Sequence, residues 1–173
     1  EWLFLFAPSP STLSLFMFAK PQSEHQWLEQ ILGEWEFDHD CKMPDGSSTT
    51  THGKMSCRSL GGMWVICESG GESAEGEPWS SIMTLGFDTA DGHYVGTFVG
   101  SMMSNIWPYE GCLDESGQKL LLSSRGPAFD GAGKANYRDT IHILDKDTWM
   151  MTSELQDENG QWIEFMSGKH TRC

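Results

Sequence analysis

Basic residues are scarce in this sequence. Only 11 of its 173 residues are Lys or Arg, against 25 Asp or Glu, so the formal net charge is −14 at pH 7. Such a surface repels the phosphates of nucleic acids and of anionic lipids, and we therefore expect neither a nucleic-acid partner nor a membrane partner. The length is typical of one domain with a sizeable core, and the composition is that of a globular chain.

Paired cysteine motifs are also absent. The five cysteines are an odd number without CxxC spacing: Cys41, Cys57, Cys67, Cys112 and Cys173. This pattern argues against a disulfide framework and against a structural zinc site. We expect buried, unreactive thiols in a reducing compartment, and therefore a cytoplasmic protein.

Familiar catalytic and cofactor motifs are missing too. The sequence has no GxxxxGK[ST] phosphate loop, no GxSxG elbow and no HExxH cluster. It therefore offers no standard nucleotide, serine-hydrolase or zinc-protease chemistry. We expect no cofactor and no metal.

One short helix and about ten strands are predicted. Apolar residues recur at helical spacing over residues 23–32, with Ser23 as the N-cap and Gly33 as the stop. Turn signals then follow every ten or so residues and separate segments rich in Thr, Val, Ile and aromatic residues. The predicted strands are 35–43, 49–60, 63–69, 80–88, 93–102, 105–114, 119–126, 136–145, 148–157 and 162–172.

This pattern predicts an all-β fold, a closed antiparallel up-and-down barrel of about ten strands with the helix capping one end. Closure is favoured because a flat sheet of this size would leave two unpaired edges. Residues 1–20 are interpreted as an extension outside the fold, since Pro8 and Pro10 interrupt their apolar run and no basic residue precedes Lys20. Residues 21–173 are predicted to form a single barrel domain.

Gly33-Glu34-Trp35 stands where the first strand begins. In a barrel that binds apolar ligands, a tryptophan at this position closes the base, and a cation from the last strand packs over the indole. Arg172 or Lys169 could supply that cation. The predicted role of the triplet is structural.

Six ordered blocks carry a family resemblance. They are Glu24-His25-x-Trp27-Leu28 leading to Gly33-x-Trp35; Arg58-Ser59-Leu60-Gly61-Gly62-x-Trp64; Ile82-Met83-Thr84-Leu85-Gly86-Phe87-Asp88; Gly100-Ser101-Met102-Met103; Trp107-x-Tyr109-Glu110-Gly111; and Tyr137-Arg138-Asp139. Together they resemble a bacterial family catalogued only as domain of unknown function 1579, over about residues 21–172. The resemblance implies a lipocalin-like (calycin) barrel and no established reaction.

Six residues of the predicted strands are candidates for a ligand-binding site: Arg58, Glu68, Met102, Tyr109, Tyr137 and Asp139. A few polar groups in an apolar lumen would orient a small apolar or amphipathic ligand, and an inward Arg58 could hold a carboxylate or phosphate. Their orientation depends on strand alternation. If Trp64 faces inward, so does Glu68; if Tyr137 faces inward, so does Asp139.

Three further functions stay open at this point. The first is an isomerase, lyase or hydrolase that uses Glu68, Glu110 or Asp139 as a base and Tyr109 or Tyr137 as an acid. The second is a haem barrel with His142 or His170 as the axial ligand. The third is an interaction protein, which exposed Trp79, Trp107 or Trp149 would favour; a homodimer is one such assembly. We favour binding of a small molecule over all three.

Overall fold

The computed structural model describes residues 19–42, 46–73, 75–131 and 133–173. Residues 1–18 of the predicted extension, and Pro44 and Asp45 of a predicted turn, lie outside the described residues. No helix within the described ranges has the length and apolar character that a membrane span requires.

Within these ranges, ten antiparallel strands close into a barrel, which confirms the predicted fold. They are β1 (Gly33–Lys42), β2 (Ser48–Leu60), β3 (Trp64–Glu72), β4 (Pro78–Asp88), β5 (His93–Gly100), β6 (Trp107–Leu113), β7 (Lys119–Pro127), β8 (Lys134–Asp145), β9 (Thr148–Gln156) and β10 (Trp162–Arg172). Each strand pairs with the next in the chain, and β10 returns to pair with β1. Closure leaves neither β1 nor β10 with a free edge.

A short helix covers the end of the barrel where β1 begins. Helix α1 (Ser23–Leu28) continues into a 3-10 turn (Glu29–Ile31). Gln22, and not the predicted Ser23, precedes the first helical residue, and its backbone N–H donates to His25 Nδ1 at 3.0 Å. The buried side chains of Leu28 and Ile31 close the barrel at this end, which is called the closed end below.

The predicted tryptophan clasp is present at the closed end. The Arg172 guanidinium lies 4.1 Å from the Trp35 ring centroid, and Arg172 Nη1 donates to the Leu32 carbonyl at 2.7 Å. Trp35 Nε1 donates to the Ile31 carbonyl at 2.8 Å. These contacts tie the helix, the first strand and the last strand together. Lys169, the other predicted cation, is exposed.

The expectation of unpaired thiols is wrong for two of the five cysteines. Cys57 of β2 and Cys67 of β3 lie directly opposite each other, are buried, and form a disulfide. The strand register brings the two sulfurs together, and sequence spacing does not reveal register. Cys41, Cys112 and Cys173 are free. The cytoplasmic location stays a prediction, without the support that idle thiols would have given it.

Candidate ligand-binding site

The half of the barrel away from the helix, called the open half below, contains a cavity of about 670 Å³. Methionine and aromatic side chains form most of its wall: Met55, Met83, Met102, Met103, Met151, Met166, Phe37, Trp79, Phe98, Trp107, Tyr109, Phe129, Tyr137 and Phe165. The volume falls in the range of small-molecule sites. Methionine side chains are flexible and polarisable, so this wall can adapt to different shapes.

Small residues leave the space empty. Ser69, Ser81 and Gly100 lie opposite one another on β3, β4 and β5. Ser124 of β7 and Ser153 of β9 also line the cavity. Because inward positions of a small barrel are normally filled by large side chains, serine or glycine at so many of them produces a lumen.

A bulge in β10 adds an aromatic ring to the wall. The pairing of β10 with β9 shifts between Glu164 and Met166, so Phe165 is an extra residue in β10. Both Phe165 and its neighbour Met166 consequently line the cavity, which strict alternation would forbid. Phe165 packs edge-on against Phe129, with ring centroids 5.1 Å apart.

A carboxyl group stands in the wall of this apolar cavity. Tyr109 Oη donates to Asp139 Oδ2 at 2.5 Å. Ser153, which lies directly opposite Asp139 in the β8–β9 pairing, is its second hydrogen-bond partner. The three residues come from β6, β8 and β9, and all three line the cavity.

Burial shifts the titration of this group. Burial raises the pKa of Asp139 above its ordinary value, and the hydrogen bonds to Ser153 and Tyr109 oppose part of that rise. Burial, together with the charge of Asp139, raises the pKa of Tyr109 well above 10. Tyr109 therefore keeps its proton at neutral pH and acts as a donor, and Asp139 is the group that accepts protons or hydrogen bonds.

Basic side chains do not line the cavity in the described part of the chain. The ionisable groups on its wall include Asp139, Glu77 and His39, with no Lys or Arg. Burial lowers the pKa of His39 to about 4, despite the nearby charges of Asp38 and Asp40, so the imidazole is neutral at pH 7. His39 Nε2 is buried and makes no hydrogen bond within the described residues.

Four of the six predicted site residues line the cavity, namely Met102, Tyr109, Tyr137 and Asp139. Tyr137 and Asp139 share one face of β8, as alternation predicts. The hydroxyl of Tyr137 donates to the Pro127 carbonyl at 2.6 Å. Met102 is 54% exposed at the mouth of the cavity.

Arg58 and Glu68 do not line the cavity. Both side chains are more than half exposed on the outer surface, where Arg58 Nη2 lies 3.9 Å from Glu68 Oε1. The buried residues of these strands are Met55 and Cys57 on β2 and Val65 and Cys67 on β3. Alternation therefore directs Arg58 and Glu68 outward. The prediction that an inward Arg58 holds a carboxylate or phosphate is wrong.

The structure also locates the residues considered for catalysis, haem ligation and an interface. Glu110 is exposed on the outer surface, as Glu68 is. Neither His142 nor His170, the histidines considered for haem, lines the cavity. His170 is fully buried and stacks on Trp149, with ring centroids 3.5 Å apart. None of the three tryptophans considered for an interface is exposed: Trp149 is buried, while Trp79 and Trp107 line the cavity.

Sequence reasoning missed several residues of this site, among them His39, Trp79, Ser153, Phe129 and Phe165. His39 could have been found, because it lies four residues from Trp35 on the same face of β1. Ser153 carries no signal by itself and matters only through its pairing with Asp139. Phe165 faces inward only because of the bulge, which the sequence does not mark.

Comparison with known proteins assigns the family and supports the fold. The family model described as protein of unknown function (DUF1579) matches residues 20–172, and the chain belongs to this family. The chain is similar to Rv2717c from M. tuberculosis, with a TM-score of 0.65 and 14% identity over 89% of this chain and 99% of that one. It is also similar to the S-type phycobiliprotein lyase CPES from Guillardia theta, with a TM-score of 0.60 and 13% identity over 96% and 98% of the two chains. At such identities the likeness shows the fold alone. No curated protein matches the chain.

Proposed function

We propose that this member of the DUF1579 family binds a small, mostly apolar molecule in the open half of its barrel. The observation that carries the proposal is the cavity of about 670 Å³, lined chiefly by methionine and aromatic side chains. Burying the apolar body of a ligand against such a wall supplies most of the binding free energy, and a few polar groups fix its orientation.

Unsatisfied polar atoms on the cavity wall support the proposal. Trp79 Nε1, Ser124 Oγ and His39 Nε2 are buried without a hydrogen-bond partner in the described part of the chain. Buried polar atoms are normally paired, because leaving one unpaired costs about 1–3 kcal/mol. These three atoms are therefore suited to contact polar substituents of a ligand.

Titration with the neutral fluorescent probe N-phenyl-1-naphthylamine tests the proposal. The probe should bind the wild-type protein with increased fluorescence. Ser124→Phe directs a benzyl group into the cavity and should weaken probe binding about tenfold or more, through lost space. Ser123→Phe adds the same ring to the exposed face of the same strand and serves as the matched control.

Two results would overturn the proposal. One is the absence of probe binding by a wild-type protein shown to be folded by circular dichroism. The other is equal binding by the two phenylalanine variants, which would place the probe outside the barrel. Native mass spectrometry of freshly purified protein adds a direct readout, since a retained ligand appears as a mass excess that is lost on denaturation.

The hydrogen-bonded pair of Tyr109 and Asp139 supports a second candidate, an enzyme that moves a proton. The pair places a carboxylate and a protonated phenol within 2.5 Å of each other inside one cavity. A carboxylate with a raised pKa is a stronger base than an exposed one, and Tyr109 could donate a hydrogen bond to charge that develops on a substrate.

Cleavage of 5-nitrobenzisoxazole tests this second candidate. A base takes the ring C–H proton, the C–H electron pair forms the nitrile, and the N–O bond breaks to leave a coloured phenolate. If Asp139 is a competent base, wild-type protein accelerates this reaction and Asp139→Asn does not. Glu68→Gln, which removes one carboxylate from the outer surface, should keep the activity. Equal rates for wild type and Asp139→Asn would eliminate Asp139 as a base.

A further inference from the structure

The interior of the cavity carries charge of one sign. Asp139 and Glu77 are the acidic side chains on its described wall, and no Lys or Arg side chain lines that wall. Arg138, the cation next to Asp139 in sequence, points to the other side of β8 and pairs there with Glu154 at 2.7 Å. His39 is neutral at pH 7, so it provides no compensating charge.

The carboxylate of Asp139 can accept further hydrogen bonds. A carboxylate offers about four acceptor positions, and Tyr109 and Ser153 occupy two of them. Both of these partners are neutral donors, so the ionised form of Asp139 has no cationic partner on the described wall of the cavity. A buried charge is costly unless it is paired, and a cationic ligand would pair it.

The aromatic part of the cavity wall is suited to a cation as well. Trp79, Trp107, Phe98 and Tyr109 present aromatic rings to the same cavity. The faces of such rings attract ammonium groups. The methionine sulfurs beside them are polarisable and carry no positive charge.

The mouth of the cavity favours the same ligands. The segment between β3 and β4 contains Glu75 and Glu77, next to Glu72 at the end of β3, and Glu77 lines the cavity. The protein as a whole carries a net charge of −14. Such a field attracts cations towards the cleft and repels anions.

We propose that the ligand of this cavity is a protonated amine with an apolar body, its ammonium group paired with Asp139 and its body held by the methionine and aromatic wall. This inference rests on the proposed function, because it names the chemical class of the molecule bound. It excludes fatty acids and other anionic amphiphiles, which an inward Arg58 would have favoured.

Competition against bound N-phenyl-1-naphthylamine tests the inference with three ligands of equal chain length: decylamine, decanol and decanoate. At pH 7 decylamine is cationic, decanol is neutral and decanoate is anionic. A hydrogen-bonded ion pair in an apolar site corresponds to about tenfold or more in affinity. Decylamine should therefore displace the probe at a concentration about tenfold or more below that of decanol, and decanoate should displace it least.

Two variants with the same change in net charge locate the effect. Asp139→Asn keeps the shape of the side chain and removes its charge, and it should abolish the advantage of decylamine over decanol. Glu68→Gln removes one charge from the outer surface and should preserve that advantage. If both variants reduce it equally, decylamine is responding to the overall negative charge, and the assignment to Asp139 is wrong.

The outcomes separate the class of ligand from the proposed function. Probe binding with displacement by decanoate at least as strong as by decylamine would overturn the amine assignment and leave the binding function intact. Failure of the probe and of decylamine, the latter measured by calorimetry, would overturn both. If Asp139→Asn does not fold, the order of the three ligands in the wild-type protein still decides the ligand class, and the salt dependence decides the assignment to Asp139. Salt screens exposed charges far more than a buried pair, so an advantage of decylamine that disappears at high salt would overturn that assignment.

Discussion

The half of the barrel next to the closed end, called the closed half below, and the open half are built from the same ten strands but have different interiors. In the closed half, the inward positions carry large side chains such as Trp35, Leu120, Ile141 and Trp149, each at most 1% exposed. In the open half, serine and glycine stand at equivalent positions and leave a cavity of about 670 Å³. Alternating strands alone therefore do not decide whether a barrel is filled or hollow; the volume of the inward side chains decides it.

Both halves contain buried polar atoms that have no hydrogen-bond partner among the described residues, but the halves differ in whether those atoms face a cavity. At the closed end, Trp35 Nε1 and the Arg172 guanidinium donate to backbone carbonyls of the helical segment. In the open half, Trp79 Nε1 and Ser124 Oγ have no hydrogen-bond partner within the described residues. In the closed half, Trp149 Nε1 and both ring nitrogens of His170 also lack partners, but these residues do not line the cavity. A ligand in the cavity can therefore reach the unpaired atoms of the open half and not those of the closed half.

The largest expected effect is on the free energy of unfolding, and it appears when a tryptophan from each half is replaced by alanine. Trp35→Ala should lower the free energy of unfolding by about 3–5 kcal/mol, because it leaves a void in a filled core and removes the ring beneath Arg172. Trp79→Ala enlarges a cavity that already exists and breaks no hydrogen bond of the indole, so we expect a loss below about 1.5 kcal/mol. Urea unfolding of both variants measures the difference. Equal losses would contradict the division into a filled and a hollow half.

The strands and the clasp at the closed end could be predicted from the sequence, whereas the Cys57–Cys67 disulfide beside the clasp could not. Gly33-Glu34-Trp35 and Arg172 mark the first and last strands, and the predicted clasp between Trp35 and Arg172 is present. The turn signals located all ten strands, because Gly, Asn and Asp residues in tight turns have conformational requirements that are local. Features of this kind can be predicted because they depend on the types of a few residues at marked positions in the sequence.

The open half depends on relations that are not local. Tyr109 and Asp139 lie on β6 and β8, with β7 between them, so only the closed sheet shows that their side chains meet. Glu68 was misplaced because β3 carries apolar residues on both faces, and composition cannot then tell the inner face from the outer. Arg58 lies on the face of β2 opposite Met55 and Cys57, which are the buried residues of that strand. Phe165 lines the cavity because of a β-bulge, and no turn residue in the sequence indicates that bulge.

A smaller expected effect is the loss of stability at acidic pH that arises from His170 in the closed half. Burial lowers the pKa of His170 to about 2, and the adjacent His39 contributes in the same direction. As the pH falls below about 6.5, the unfolded chain binds a proton at this residue and the folded protein does not, so stability is lost on acidification. Between pH 7 and pH 5 this amounts to about 2 kcal/mol for His170.

His170→Phe isolates that contribution. Phenylalanine can keep the stacking on Trp149, and it leaves no partner unpaired because both imidazole nitrogens lack hydrogen bonds among the described residues. We expect the variant to lose about 2 kcal/mol less stability than wild type between pH 7 and pH 5. His39 remains in the variant and keeps its own part of the pH dependence. Parallel curves for the two proteins would show that His170 does not carry the effect.

The smallest expected effect is the difference in stability loss between variants of two arginines that pack on tryptophan. Arg172 lies 4.1 Å from the ring centroid of Trp35 at the closed end, and Arg138 lies 4.4 Å from that of Trp162 on the outer wall of the open half. Their side chains are similarly exposed, at 32% and 28%, so exposure does not distinguish them.

Arg172→Gln should lower the free energy of unfolding by about 1–3 kcal/mol, because the Leu32 carbonyl loses a charged donor where the helix meets the barrel. Arg138→Gln leaves Glu154 free to be hydrated and should cost about 0.5–1 kcal/mol. If urea unfolding gives the reverse order, the stability of the barrel depends on its outer wall more than on the clasp at its closed end.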